Sequence, residues 1–260
     1  MPENGEEKKM KKFLVLIVFA MIIIFVLSCG NEKKSNGYEL ALITDVGTID
    51  DRSFNQGSWE GLKKYAEEKG ITHKYYQPTE KTTDAYIDSI DLAVAAGAKI
   101  VVTPGFLFEP AIYKAQDIHP KVNFVLLDGS PQDGNYQDFR IEKNVYSVFY
   151  AEEEAGFLAG YGAVKEGYTN LGFMGGMAVP AVVKFGYGFV QGVNYAAKEF
   201  GIKNVKVDYN YLGGFNPSPE IQTKAASWYR NGVQVIFVAG GGAGNSVMSA
   251  AEQNNGYVIG

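Results

Sequence analysis

Cysteine is nearly absent from this sequence: Cys29 is the only one in 260 residues, and there are just two histidines, His73 and His119. A lone cysteine excludes a disulfide framework, and two histidines without metal-ligand spacing argue against a metal site. Phosphate-cradling motifs are missing as well. The glycine loops GGM (175–177) and AGGGAG (239–244) match neither G-x-G-x-x-G nor G-x-x-x-x-G-K-[ST]. No Ser, Cys or Lys stands beside a matched His as an activated nucleophile, so the expectation is a protein that is not an enzyme and uses no cofactor. Charge of one sign is also scarce. With 24 basic and 29 acidic side chains the net charge is −5, which offers no basic field to nucleic acid.

The long apolar run that is present sits at the N-terminus. Lys8, Lys9, Lys11 and Lys12 precede FLVLIVFAMIIIFVL, residues 13–27. That run is short for a membrane span and suits the h-region of a signal peptide. It ends in Val26-Leu27-Ser28-Cys29, which resembles a bacterial lipobox. Cys29 would then carry a lipid such as palmitate, the alternative being a chance cysteine beside an ordinary cleavage site. The expected organisation is a lipoprotein signal peptide over 1–29 and a polar tether over 30–37. The rest would be anchored to the cell membrane, facing the periplasm or the extracellular side.

Beyond the tether, strand and helix patterns alternate. Strands are expected at 39–45, 73–78, 99–104, 123–128, 170–176, 205–212, 233–240 and 257–260, with helical patterns such as DAYIDSIDLAVAA and EIQTKAASWYRN between them. Several strands are continuous Val/Ile/Leu/Phe runs, as in a parallel sheet covered on both faces. The class is α/β, doubly wound.

The sequence also repeats itself. FNQGSWEGLKKYAEEKGI (54–71) aligns without a gap on FGYGFVQGVNYAAKEFGI (185–202), pairing Phe54 with Phe185, Gly57 with Gly188, Gly61 with Gly192 and Gly70 with Gly201. AAGAKIVVTPG (95–105) likewise resembles RNGVQVIFVAG (230–240). Two similar lobes are expected, 38–148 and 149–260, with the C-terminal edges of their sheets around a shared cleft. If the lobes face each other, Phe54 and Phe185 do too, and two rings about 7 Å apart would hold one flat aromatic ligand.

Polar groups crowd the same place. Asp45 ends its strand at the cleft edge, and Asp51 or Ser53 either caps the following helix or faces the ligand. Asn55 follows Phe54 inside the helix start, and its amide can both donate to and accept from a base edge. Asp128 ends NFVLLD, as a reader of a purine edge or as a turn residue in D-G-S-P. The acidic run Glu152-Glu153-Glu154 complements a helix N-terminus or forms a docking patch for a membrane partner.

At these residues the chain resembles the basic membrane protein family of substrate-binding lipoproteins, near the purine-nucleoside receptor lipoproteins of bacteria. The motifs are D-x-G-x-x-D-D-x-S-F-N at 45–55, D-G at 128–129, G-G-M-x-x-P-x-V-x-x-F at 175–185 and the glycine loop at 240–242. The resemblance implies a type I periplasmic-binding-protein fold that feeds an ABC permease, with guanosine, adenosine or inosine as ligand. Carried over, Phe54 and Phe185 stack on the base, Asp45, Asn55 and Asp128 read its edge, and Gly240, Gly241 and Gly242 lie near the ribose. The expected protein is a monomer. Family members continue beyond the position of Gly260, where an Asp and a Lys for the ribose hydroxyls follow. A C-terminally incomplete second lobe and weakened binding are therefore expected. A sugar receptor of the same fold and a surface adhesin are the competing readings.

Overall fold

The computed structural model describes residues 38–45 and 47–260; the expected signal peptide and tether, with Cys29, lie outside the described residues. Strand and helix alternate as β1 (Leu40–Ile43), α1 (Phe54–Lys69), β2 (His73–Tyr76), α2 (Thr83–Ala95), β3 (Ile100–Pro104), α3 (Glu109–Ile118), β4 (Asn123–Leu127) and β5 (Val145–Val148). They continue as α4 (Glu152–Lys165), β6 (Asn170–Gly175), α5 (Pro180–Glu199), β7 (Lys206–Tyr211), α6 (Pro219–Arg230), β8 (Val235–Ala239), α7 (Gly244–Asn254) and β9 (Tyr257–Ile259). Single 3₁₀ turns, Phe106–Phe108 and Gly241–Ala243, lead into α3 and α7.

The strands form two all-parallel sheets, ordered β2-β1-β3-β4-β5 and β7-β6-β8-β9. The first four positions of the two sheets correspond one to one, so the sequence repeat is a repeat of topology. Its punctuation recurs as well. Gly70 and Gly201, after the paired helices, both take φ 65°, and Gly97 and Gly232 take 102° and 94°. Only glycine adopts these left-handed conformations without strain, which is why each half keeps it there. Strand β5 was not legible in the sequence: VYSV is four residues long, and its pairing with β4 from Phe124 to Leu127 is made only in three dimensions.

Each sheet is covered on both faces, but unequally. Ala41, Ile43, Val101, Phe124 and Leu126 meet Tyr86, Ile90, Phe108 and Ile112 from α2 and the α3 side. On the opposite face Leu40 and Leu42 meet Leu62 and Ala66 of α1. In the second half the matching face carries two helices, because α4 lies against α5 through glycines. A Cβ on Gly188 or Gly192 would stand 2.0 Å from the backbone oxygen of Glu153 or Phe157. Gly57 and Gly61, their counterparts on α1, meet nothing within 4 Å. They border an apolar groove of about 660 Å³ floored by Leu40, Ile100, Val102, Val125 and Leu127.

Candidate functional site: a cleft between two sheets

The loops that leave the strand C-terminal ends of both sheets converge on one cavity of about 830 Å³. Such edges collect ligands because the strands diverge there and leave backbone N–H groups and loop side chains free. Asp45, Phe54, Asn55, Asp128, Phe185, Gly240, Gly241 and Gly242 all line it. Phe54 opens α1 and is 38% exposed; its ring meets that of Tyr150 at 6.3 Å and 84°. Phe185 lies in the second turn of α5 and meets the ring of Phe237 edge-on at 6.0 Å and 78°.

The loop from β1 to α1 is tied down by its own side chains. Asp51 accepts from the backbone N–H of Ser53 at 2.8 Å and of Gln56 at 3.1 Å. Ser53 makes no side-chain cap bond, so Asp51 is the residue that satisfies the helix start. Asn55 is buried, and its amide is committed to the same loop. Its Nδ2 donates to Asp45 at 2.9 Å and to Asp51 at 3.0 Å, while its Oδ1 accepts from the Asp45 N–H. With both N–H bonds engaged, Asn55 holds Asp45 in place and has no free donor for a base edge.

Asp128 sits just past β4 with φ 58°, a left-handed conformation for a residue that is not glycine. Its N–H donates to the Val148 carbonyl at 2.6 Å, which ties the backbone at the end of β4 to the end of β5. Below it, buried Glu109 accepts from the Ser130 N–H at 3.0 Å and from Gln132 Nε2 at 3.3 Å, bracing the turn. Burial pushes the Asp128 carboxyl up to about 7, helped by Glu152 and Glu109 and opposed by Lys184. Burial also raises Glu109, and it raises the Tyr150 hydroxyl together with the charges of Asp128 and Glu152.

The acidic run at 152–154 opens α4, as expected for charges that complement a helix N-terminus, and one of the three does more. Glu153 and Glu154 are solvent-exposed, but Glu152 is 4% exposed, lines the cleft and accepts from Lys184 Nζ at 3.1 Å. Nothing in a run of three like charges at a helix start marks Glu152 as the one that turns into the cleft. Phe215 and Asn245 were overlooked too. Phe215 meets Phe106 across the cleft at 6.5 Å, and Asn245 Nδ2 donates to the Asp51 carbonyl at 3.2 Å. An Asn just after a glycine loop, at the opening of a helix, was the available signal. Among the described residues no group of three His, Cys, Asp or Glu side chains converges to hold a metal ion.

Residues 38–260 match the model of the Bmp family, described as ABC transporter substrate-binding proteins, PnrA-like. The chain belongs to this family. Among curated Bmp relatives, the ABC transporter nucleoside-binding protein BmpA of Lactococcus lactis subsp. cremoris is 33% identical over 228 residues, covering 86% of this chain and 61% of that one. Basic membrane protein D of Borreliella burgdorferi is 28% identical over 249 residues, covering 94% of this chain and 69% of that one. The chain thus spans about three fifths of the length of the lactococcal relative. An ABC transporter solute-binding protein from Aeropyrum pernix K1 superposes with a TM-score of 0.70 at 25% identity, over 85% of this chain and 61% of that one. An arabinose-binding protein from Geobacillus stearothermophilus gives a TM-score of 0.58 at 15% identity, over 85% of this chain and 73% of that one, and shares the fold. The fold is the type I periplasmic-binding-protein fold expected from the sequence.

Proposed function

We propose that this Bmp family chain is the ligand-binding part of an extracytoplasmic lipoprotein receptor that captures purine nucleosides for an ABC importer. Cys29 is the proposed lipid attachment point, and 38–148 and 149–260 are the proposed lobes. The observation that carries the reading is a single cavity bordered by Phe54 from one half and Phe185 from the other, with carboxylates at its wall. Two aromatic faces with polar groups at the rim suit a flat heterocycle, each stacking contact contributing about 1–3 kcal/mol. Asp128 reads the base edge, Asp45 sits at its loop, and the Gly240–Gly242 loop allows close backbone approach to the ribose. Among the described residues no nucleophile–base pair lines the cavity, which favours capture over catalysis.

Closure of the lobes on the ligand would present one joined surface to the permease, driven by tighter ligand binding in the closed state. A thermal-shift panel of guanosine, adenosine, inosine, free bases, ribose and hexoses tests the reading. Stabilisation by nucleosides supports it; stabilisation by sugars alone replaces it with the sugar-receptor reading.

A further inference from the structure

Among the described residues, several buried side-chain polar atoms lack a hydrogen-bonding partner, and of these only Glu152 Oε1 belongs to a residue that lines the cleft. Glu152 is 96% buried, its other oxygen accepts from Lys184, and Asp128 lines the same cleft, close enough that the two carboxyls shift each other's proton affinity. Two ionised carboxylates offer only acceptors and repel each other, so this contact becomes a bond only when a proton sits between them.

We propose that Asp128 and Glu152 hold one proton between them in the empty cleft, and that this proton decides which purine edge the cleft accepts. The inference rests on the nucleoside reading above. A 6-oxopurine presents an N1–H donor, which needs ionised Asp128. Binding it breaks the Asp128–H···Glu152 bond, forms N1–H···Asp128 and releases the proton to solvent. Adenine presents a bare N1, and protonated Asp128 turns its O–H from Glu152 to that nitrogen without releasing a proton.

The surroundings place the proton on Asp128. Glu152 faces it from α4, Tyr150 from the segment before α4, Glu109 from α3 and Lys184 from α5. Burial works against ionisation of Glu152, but its α4 N-terminal N–H, Asp128 and Lys184 together hold it below the ordinary glutamate range. Burial and two acidic neighbours outweigh Lys184 at Asp128, which titrates near 7.

The test is calorimetric titration with inosine and adenosine at pH 6 and pH 8, in two buffers of different ionisation enthalpy. Inosine should bind about tenfold more weakly at pH 6 than at pH 8 with release of close to one proton at pH 6, and adenosine should show the reverse trend, by one-proton linkage. Glu152→Gln should flatten both trends. ¹³C-carboxyl titration of the ligand-free protein should find Asp128 titrating near neutrality, and lower in Glu152→Gln. Binding of both nucleosides with no pH dependence overturns the proton pair and leaves the receptor reading intact. Binding of neither, with the ligand-free titration as stated, overturns the receptor reading and the edge selection while the shared proton stands. An Asp128 titrating in the ordinary carboxylate range overturns the inference outright.

Discussion

Gly192 of α5 lies so close to Phe157 of α4 that a β-carbon added to it would stand 2.0 Å from the Phe157 carbonyl oxygen. Gly188 stands the same distance from the Glu153 carbonyl, one turn away. The repeat partners on α1, Gly57 and Gly61, face open space instead. One Gly-x-x-x-Gly pattern therefore has two physical meanings in a single chain.

The first prediction follows from that difference. Gly192→Ala forces two backbones apart and should cost about 3 kcal/mol or more, beyond the usual overpacking penalty. Gly61→Ala meets no obstacle in the described structure and should stabilise α1 by up to about 1 kcal/mol through helix propensity. Chemical denaturation of the two variants measures the contrast, and equal effects would contradict it.

The cleft rings differ in what else they do. Phe54 is more exposed and should contribute chiefly to ligand, so Phe54→Ala should weaken nucleoside binding roughly 5- to 150-fold, the loss of one stacking contact, with little change in Tm. Phe185 also packs against Phe237 at the edge of the second core, so Phe185→Ala should weaken binding comparably and lower Tm as well. Calorimetry and thermal melts of both variants separate the two effects.

Asn245 Nδ2 reaches across the cleft to the Asp51 carbonyl. Asn245→Ala removes a hydrogen bond of about 1 kcal/mol between the halves. Small-angle scattering of the ligand-free variant should show a larger radius of gyration, and added ligand should restore the compact form. An unchanged radius would mean that the bond does not hold the halves together.

Stability should depend on pH through Asp128. Its folded-state pKa of about 7 lies above the ordinary value, so the folded state binds the extra proton. The corresponding stabilisation is fully present below the unfolded pKa and is lost as pH rises through the folded value. Between pH 6 and pH 8 the ligand-free protein should therefore lose stability, by at most about 1.4 kcal/mol per pH unit for one proton. Asp128→Asn should reduce that slope. Urea denaturation midpoints at pH 6, 7 and 8 measure it.

Much of this protein is written locally. The alternation of 3.6-residue and strand-like apolar runs located eight of the nine strands to within a few residues, because the central strands β1, β6 and β8 are buried nearly throughout and read as continuous apolar runs. The repeat of Phe, four glycines and helix ends made two equivalent halves legible, and with them the position of Phe54 and Phe185 at one cleft. Tertiary structure alone decided the rest. β5 has a single buried residue, Val145, so no apolar run announces it, and it exists through its pairing with β4. Whether Asn55 reads a ligand or a loop depends on where the Asp45 and Asp51 oxygens end up. Glu152, outwardly one of three like charges at a helix start, becomes a buried partner of Asp128 because α4 begins beside the end of β4, a proximity that no spacing in the sequence encodes.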